Sequence, residues 1–483
     1  MQRKIKAILA VALTPVVMLS GVISTYALSN ESDIEFLAKI VDNDGKLILA
    51  RNNDEKSDIP YNILRNKKSL SLPDTYNLFD MGKATSVKYQ GSHGVCWTFG
   101  SLSSFESSIL MQGNADNNID LSERHLAWFT FNGKDNSADK SLFGGGDNFS
   151  TYGYSPYEIG GSYFNSAATL MRRYGACDQS ICEYEFEGKG ELDDSLRTKA
   201  DIYLDSMEML PPLAFYESDS AGNITAQGLV SKSEFDYALN CIKENIMNVG
   251  VVDFSIYEAD NYFNNRTYGY YFDGSVKNDA SDNGYRYSNH EVSIVGWDDN
   301  YSKENFVITP PADGAWIVKN SWSERWGDDG FFYVSYYDIS QSDFVSFVAE
   351  DAEYKNDGTT QHEYKNIYQY DGTIFGATQI STTANIESAN VFTARGDETL
   401  EAVSSATLMP FTTFNYKIYT DLKDKNDPTS GELALRGSKT YANAGYYTIP
   451  LDEKIQLDKG ENYAVIISIS YDSNGVEKYI LPC

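Results

Sequence analysis

The chain has 483 residues, 42% of them hydrophobic and 22% charged, with a formal net charge of -30. That balance belongs to a folded protein and argues against disorder across the whole chain. The excess of carboxylates would repel a polyphosphate and an anionic lipid surface, so neither nucleic acid nor a membrane surface is expected as a partner.

Arg3, Lys4 and Lys6 precede an apolar or small stretch from Ala7 to Val22, and Thr25-Tyr26-Ala27 has the spacing of a signal-peptidase site. This predicts a secretory signal peptide over residues 1–27, with an uncleaved anchor as the alternative. No later run is long and apolar enough to predict a membrane span. Residues 28–71 are charged and short on aromatics, as in an N-terminal extension or short pro-segment.

Residues 72–349 mix helix and strand signals. Trp97, Phe99, Leu102, Phe105 and Ile109 recur at near-helical spacing, which predicts a buried helix starting at or just before Cys96. Further helices are predicted over Ser166 to Tyr174 and Glu234 to Met247. Strands are predicted over Val249 to Tyr257, Glu291 to Trp297, Ala315 to Asn320 and Phe331 to Tyr336. Beyond a boundary near 350, short strand-like runs alternate with Gly, Asn, Asp and Thr clusters. Ala389 to Thr393, Tyr416 to Thr420, Gly445 to Ile449 and Tyr463 to Ser470 are examples. Residues 350–483 therefore read as an all-β sandwich. Its strand-like pattern runs up to Leu481-Pro482-Cys483, which leaves open that this domain is incomplete.

The five cysteines are Cys96, Cys177, Cys182, Cys241 and Cys483. An odd count in an exported chain leaves at least one thiol unpaired or paired between chains. Cys177 and Cys182 are close enough in sequence to close a small loop, but the pairing stays open. There is no CxxC pair, and neither a metal nor another cofactor is expected.

Three clusters carry chemistry. The first is Gln90-Gly91-Ser92-His93-Gly94-Val95-Cys96-Trp97-Thr98-Phe99. A thiol at a helix N-terminus is drawn toward the thiolate, which is the nucleophilic form. Gln90 can donate its side-chain amide to a developing oxyanion beside the Cys96 backbone N–H. In the second, Asn289-His290-Glu291, an imidazole opens a strand ending in Gly296-Trp297 and can exchange a proton with Cys96. The third, Lys319-Asn320-Ser321-Trp322-Ser323-Glu324-Arg325-Trp326-Gly327, offers Asn320 to orient that imidazole and Trp322 to shield the bond from water.

These clusters resemble the papain family of cysteine peptidases over Leu72 to Tyr336. Leu121-Ser122-Glu123 resembles the family's L-S-E segment, and Leu72-Pro73 its mature start. The resemblance implies an α+β fold: a two-lobed peptidase domain with a helical lobe and a β-rich lobe. It also implies Cys96 as nucleophile, His290 as base, Asn320 as orienter and Gln90 as oxyanion donor. Gly160-Gly161 resembles the glycine pair that binds substrate backbone. The region after 350 resembles the lectin-like β-domain that follows such peptidases in exported bacterial proteins, on Ala389-Asn390-Val391-Phe392-Thr393-Ala394 and Gly445-Tyr446-Tyr447-Thr448-Ile449.

Four departures stand out. His93 occupies the place of a disulfide cysteine. Thr98 and Ser323 replace the commoner Ala and Gly. His290 lies 194 residues after Cys96, against roughly 130–150 in the type enzymes. Insertions over Asn136 to Phe149 and Asn264 to Tyr287 would explain the excess at small entropic cost. Glu291 stands where a small apolar residue is usual, and a rim carboxylate there would favour a basic substrate side chain.

The function expected is an exported cysteine endopeptidase acting on proteins or peptides through a thioester acyl-enzyme, with a glycan or cell-surface ligand for the β-domain. A catalytically silent surface protein and a transpeptidase using the same triad are the alternatives. His93, His125 and His362 are read as structural, and Arg395-Gly396-Asp397 as a turn.

Overall fold

The computed structural model describes residues 34–37, 39–41, 47–49, 72–132, 149, 151, 153–174, 176–184, 190–219, 221–275, 284–356, 359–369, 379–382, 385–473 and 476–480. The expected signal peptide, most of the Asn136–Phe149 insertion, part of the Asn264–Tyr287 insertion and Cys483 lie outside these residues.

Helix α1 spans Cys96–Gln112 and is buried on every side from Trp97 to Leu110. Its large apolar side chains pack with other helices and with Val345 and Phe347 of the sheet, while its serines let the sheet come close. Ser104 Oγ donates to the Val251 carbonyl at 2.6 Å and Ser107 Oγ to that of Lys83 at 2.6 Å, so these hydroxyls are satisfied without water. Gly113, at φ 80°, closes the helix in the left-handed conformation.

Helix α2 (Glu123–Phe131) is capped by Ser122, whose hydroxyl accepts from the His125 N–H. Helix α3 (Tyr163–Met171) starts three residues before the predicted one, because Ser162 and Asn165 form a capping box. It ends early because Arg173 turns to φ 57°. Helix α4 (Lys232–Asn248) opens on a second capping box, Ser231 and Glu234.

A ten-stranded sheet runs in the order Glu398–Thr407, Ala444–Leu457, Leu204–Met209, Ser342–Ala349, Val252–Ile256, His290–Asp298, Ala315–Lys319, Phe331–Ser335 and Gly269–Tyr270. Thr75–Asn77 joins it on the His290–Asp298 strand. A seven-stranded sheet holds Ile34–Leu37, Gln379–Thr382, Ser388–Thr393, Thr412–Thr420, Glu432–Tyr441, Asn462–Ser473 and Val476–Ile480. Val403, Tyr447 and Ile449 from the first sheet pack on Phe414, Ile418 and Ile469 from the second. The fold is thus α+β: a papain-like unit in which α1, α2 and α3 share one core while α4 packs with the strands of a second, followed by a β-sandwich.

The two regions are joined more closely than a boundary near 350 suggests. Ala444 pairs with Met209 and Tyr446 with Met207. Ala406, Leu408 and Tyr446 are buried in the same cluster as Trp97, Leu102 and Phe347. A chain ended at residue 360 would bare the Leu204–Met209 edge and lose those three side chains. Its melting temperature is expected to fall by roughly 10 °C or more, readable by calorimetry.

Candidate active site

The His290–Asp298 and Ala315–Lys319 strands pair antiparallel, Ser293 opposite Lys319. This register sets Asn320 opposite Val292, and His290, two residues on along the same face, reaches it diagonally. His290 Nε2 lies 2.9 Å from Asn320 Oδ1. Oδ1 is an acceptor and also takes the Ser321 N–H at 2.8 Å. Nε2 must therefore carry the imidazole proton, which leaves Nδ1 as the basic nitrogen. The Trp322 ring stacks on His290 with centroids 4.8 Å apart and planes 23° apart, and Trp326 meets Trp322 edge-on. This aromatic cover keeps water off the His290–Asn320 bond.

Cys96 is the first residue of α1 and is partly exposed. Its sulfur is reached by three backbone N–H groups, those of Glu291, Trp97 and Cys96 itself, and each favours the thiolate. The Glu291 N–H directly follows His290 in the chain, so it ties the sulfur to the imidazole's end of the strand. Burial nevertheless pushes the thiol up to about 12, with the Glu291 charge adding to the rise. Burial likewise pushes His290 down to about 4, against the pull of its Asn320 bond. Desolvation thus works against the depressed thiol expected from the helix position.

Gln90 is 6% exposed and fixed at both ends of its amide. Ser321 Oγ donates to Oε1 at 2.5 Å, and Nε2 donates to the His93 carbonyl at 2.8 Å. The amide has a second Nε2 hydrogen beyond that bond. Gly160 adopts φ 82°, and a side chain on Gly161 would stand 2.5 Å from the Trp97 indole, so this glycine pair lies against the residue after Cys96. Gly94 packs on the Gly160 N–H and the Glu158 carbonyl. His93, at the missing disulfide position, pairs through Nδ1 with the Glu158 carboxylate. A polar contact therefore stands there.

Glu291 differs from expectation. It is 4% exposed, so it is not a rim carboxylate. Its side chain hydrogen-bonds that of Asp253 and comes within reach of Gly100. The reason is strand alternation: successive side chains point to opposite faces, so His290 and Glu291 diverge, and Glu291 turns to the face packed on α1. Asp253 pairs opposite Ser293 on that same face, and Ser101 Oγ donates to it at 3.1 Å.

A buried ion cluster was not foreseen. Lys88 Nζ meets Glu106 at 2.9 Å, Asp120 at 2.6 Å and Glu123 at 2.8 Å. Lys319 Nζ joins it by donating to Thr85 Oγ1 at 3.2 Å. Local pattern could have flagged only Glu123, in Leu121-Ser122-Glu123. Of the histidines read as structural, His125 is buried with Nε2 at 2.7 Å from the Leu196 carbonyl, and His362 sits on Glu350 at 2.6 Å. Arg395 opens a turn in which its N–H reaches Glu398 Oε1 at 2.9 Å. Cys96, Cys177, Cys182 and Cys241 are not disulfide-bonded to one another. Among the described residues no cluster of three or more His, Cys, Asp or Glu is placed to hold a metal ion.

The family described as papain family cysteine protease matches residues 72–136 and 160–347, slightly more than half of the chain. That described as lectin like domain matches residues 367–480. Cysteine proteinase 2 of Entamoeba histolytica is 26% identical over 264 residues, covering 54% of this chain and 64% of its own length. A cysteine protease of Blomia tropicalis is 24% identical over 280 residues, 58% of this chain and 66% of its own. The chain thus spans a little less than two thirds of the length of these curated relatives. Among solved structures, the cysteine protease and lectin-like domains of Cwp84, a surface layer associated protein of Clostridium difficile, match with TM-score 0.62 at 21% identity. The match covers 94% of this chain and 88% of that one. Clostridial Cwp84 after propeptide cleavage matches with TM-score 0.60 at 23% identity, covering 84% and 86%. At such identity the likeness shows the fold, a papain-like domain followed by a lectin-like one.

Proposed function

Because this chain belongs to the papain family of cysteine proteases, we propose that it is an exported endopeptidase that hydrolyses proteins or peptides through an acyl-enzyme on Cys96. The observation that carries this reading is the His290 Nε2 bond to Asn320 under Trp322, at the strand end that meets the N-terminus of α1.

In the first step His290 Nδ1 takes the Cys96 proton as sulfur attacks the scissile carbonyl. The carbonyl oxygen becomes an oxyanion held by the Cys96 N–H and the Gln90 Nε2. The imidazolium then gives its proton to the departing amine, and a thioester remains. In the second step Nδ1 takes a proton from water, the hydroxide adds to the thioester, and the thiol leaves with that proton returned. Asn320 holds the ring in one tautomer throughout. Gly160 and Gly161 bind substrate backbone, and Trp322 keeps water from the His290–Asn320 bond.

The Arg3-to-Ala27 pattern supports export, and Cwp84, which shares both domains, is described as surface layer associated. A cell-surface site of action with a glycan or surface ligand on the lectin-like region fits both. Hydrolysis of an unstructured protein such as casein, abolished by a thiol alkylator, tests the proposal; release of amide-linked products only when an amine is added would make the chain a transpeptidase instead. Gln90→Ala is expected to lower kcat by about 10²–10³ with KM little changed. A steady-state comparison checks this.

A further inference from the structure

Behind the His290–Asn320 pair lies a cavity of about 10 Å³. Gly100 and Ser103 of α1 form one wall, Glu291 and Ser293 another, and Asn320 a third. This is room for about one water. Asn320 Nδ2 and Ser103 Oγ line it, both from side chains at most 4% exposed, and neither reaches a hydrogen-bond partner among the described residues. Leaving two such groups dry and unbonded would cost roughly 1–3 kcal/mol each. The Glu291 carboxyl, turned inward by strand alternation, supplies an acceptor on the same cavity.

We propose that this cavity binds one ordered water that accepts from Asn320 Nδ2 and Ser103 Oγ and donates to the Glu291 carboxyl, making Glu291 a positioning residue for Asn320. The proposal rests on Asn320 being the orienter of His290. An amide that rotated by half a turn would present Nδ2 to the imidazole. Nε2 would then lose its acceptor, the proton would move to Nδ1, and the base would be lost. The Ser321 N–H holds the Oδ1 end. The water holds the Nδ2 end and thereby transmits the Glu291 side chain to the base without touching substrate.

Crystals of the whole protein at high resolution are expected to show a single water within hydrogen-bond distance of Asn320 Nδ2, Ser103 Oγ and a Glu291 oxygen. Glu291→Gln keeps an acceptor oxygen and is expected to hold kcat within about threefold, while Glu291→Leu removes it and lowers kcat about tenfold at unchanged KM. A dry cavity, or a Gln variant as slow as the Leu variant, overturns the proposal. Should Glu291→Leu not fold, Ser103→Ala and the native crystal decide, since the water must then lose one partner or be absent. The native crystal also separates the two readings: an inactive protein with the water in place refutes the peptidase function and leaves the site standing.

Discussion

Replacing Cys96 by alanine is expected to abolish peptide hydrolysis, lowering kcat by about four orders of magnitude or more. In the proposed mechanism Cys96 alone takes the acyl group. The proposal assigns the proton to His290, which Asn320 bonds at Nε2, and an amide donor's part to Gln90. What would remain is the modest acceleration from oxyanion binding and substrate alignment. Of the other described thiols, two are poorly placed to substitute. Cys177 is fully buried, its thiol pushed up by desolvation and by its neighbour Cys182, so it stays protonated and inaccessible. Cys241 lies on α4, within the α4 span Lys232–Asn248, rather than at a helix N-terminus. The check is hydrolysis of a fluorogenic peptide by purified variant and parent at equal concentration. Activity within tenfold of the parent would remove Cys96 from the mechanism.

Lys88→Met is expected to carry the largest stability effect, about 3–5 kcal/mol. Lys88 is the shared cation of Glu106, Asp120 and Glu123, and the Glu106 and Glu123 side chains are 0% and 1% exposed. Burial works to lower the Lys88 pKa, but the three carboxylates raise it well above its ordinary value, so the cation persists. Burial pushes Glu123 up to about 7 while Lys88 pulls it back. A carboxyl whose folded value stands above its unfolded value of about 4.5 contributes stability that is complete at low pH and is lost as pH rises through about 7. Removing Lys88 raises the folded value further, so the penalty of the variant should widen between about pH 5 and pH 8. Urea unfolding at both pH values reads this. A deficit below about 1 kcal/mol at pH 8 would mean the cluster is solvated in a way its burial does not show. Since Lys319 bonds Thr85 and Thr85 bonds Glu106 at 2.6 Å, the variant should also loosen the backbone that carries Asn320.

The elements that carry the candidate site were legible because each has its own local signature. The start of α1 at Cys96 follows from Gly94 and the apolar spacing after it, and the His290 and Asn320 strands from their β-branched and aromatic runs. Capping boxes at Ser162 and Ser231 moved two helix starts upstream of the apolar pattern, since a cap is set by side-chain oxygens that hydropathy does not register. Two facts were out of reach. The pairing of Tyr446 with Met207 joins strands far apart in the chain, and no local pattern encodes the register between distant edges. Glu291 looked like a rim residue because its position was read by resemblance. Its direction is set by the strand's alternation and by Asp253, whose partnership only the folded chain reveals.

One measurement bears most directly on the thiol–imidazole pair. The protein is treated with a peptidyl epoxide, digested, and the adduct mapped by mass spectrometry in the parent and in His290→Ala. The account predicts a single adduct, on Cys96, formed at least about a hundredfold more slowly when His290 is gone. Labelling of Cys177, Cys182 or Cys241 in place of Cys96, or a rate unchanged by the loss of His290, would contradict it.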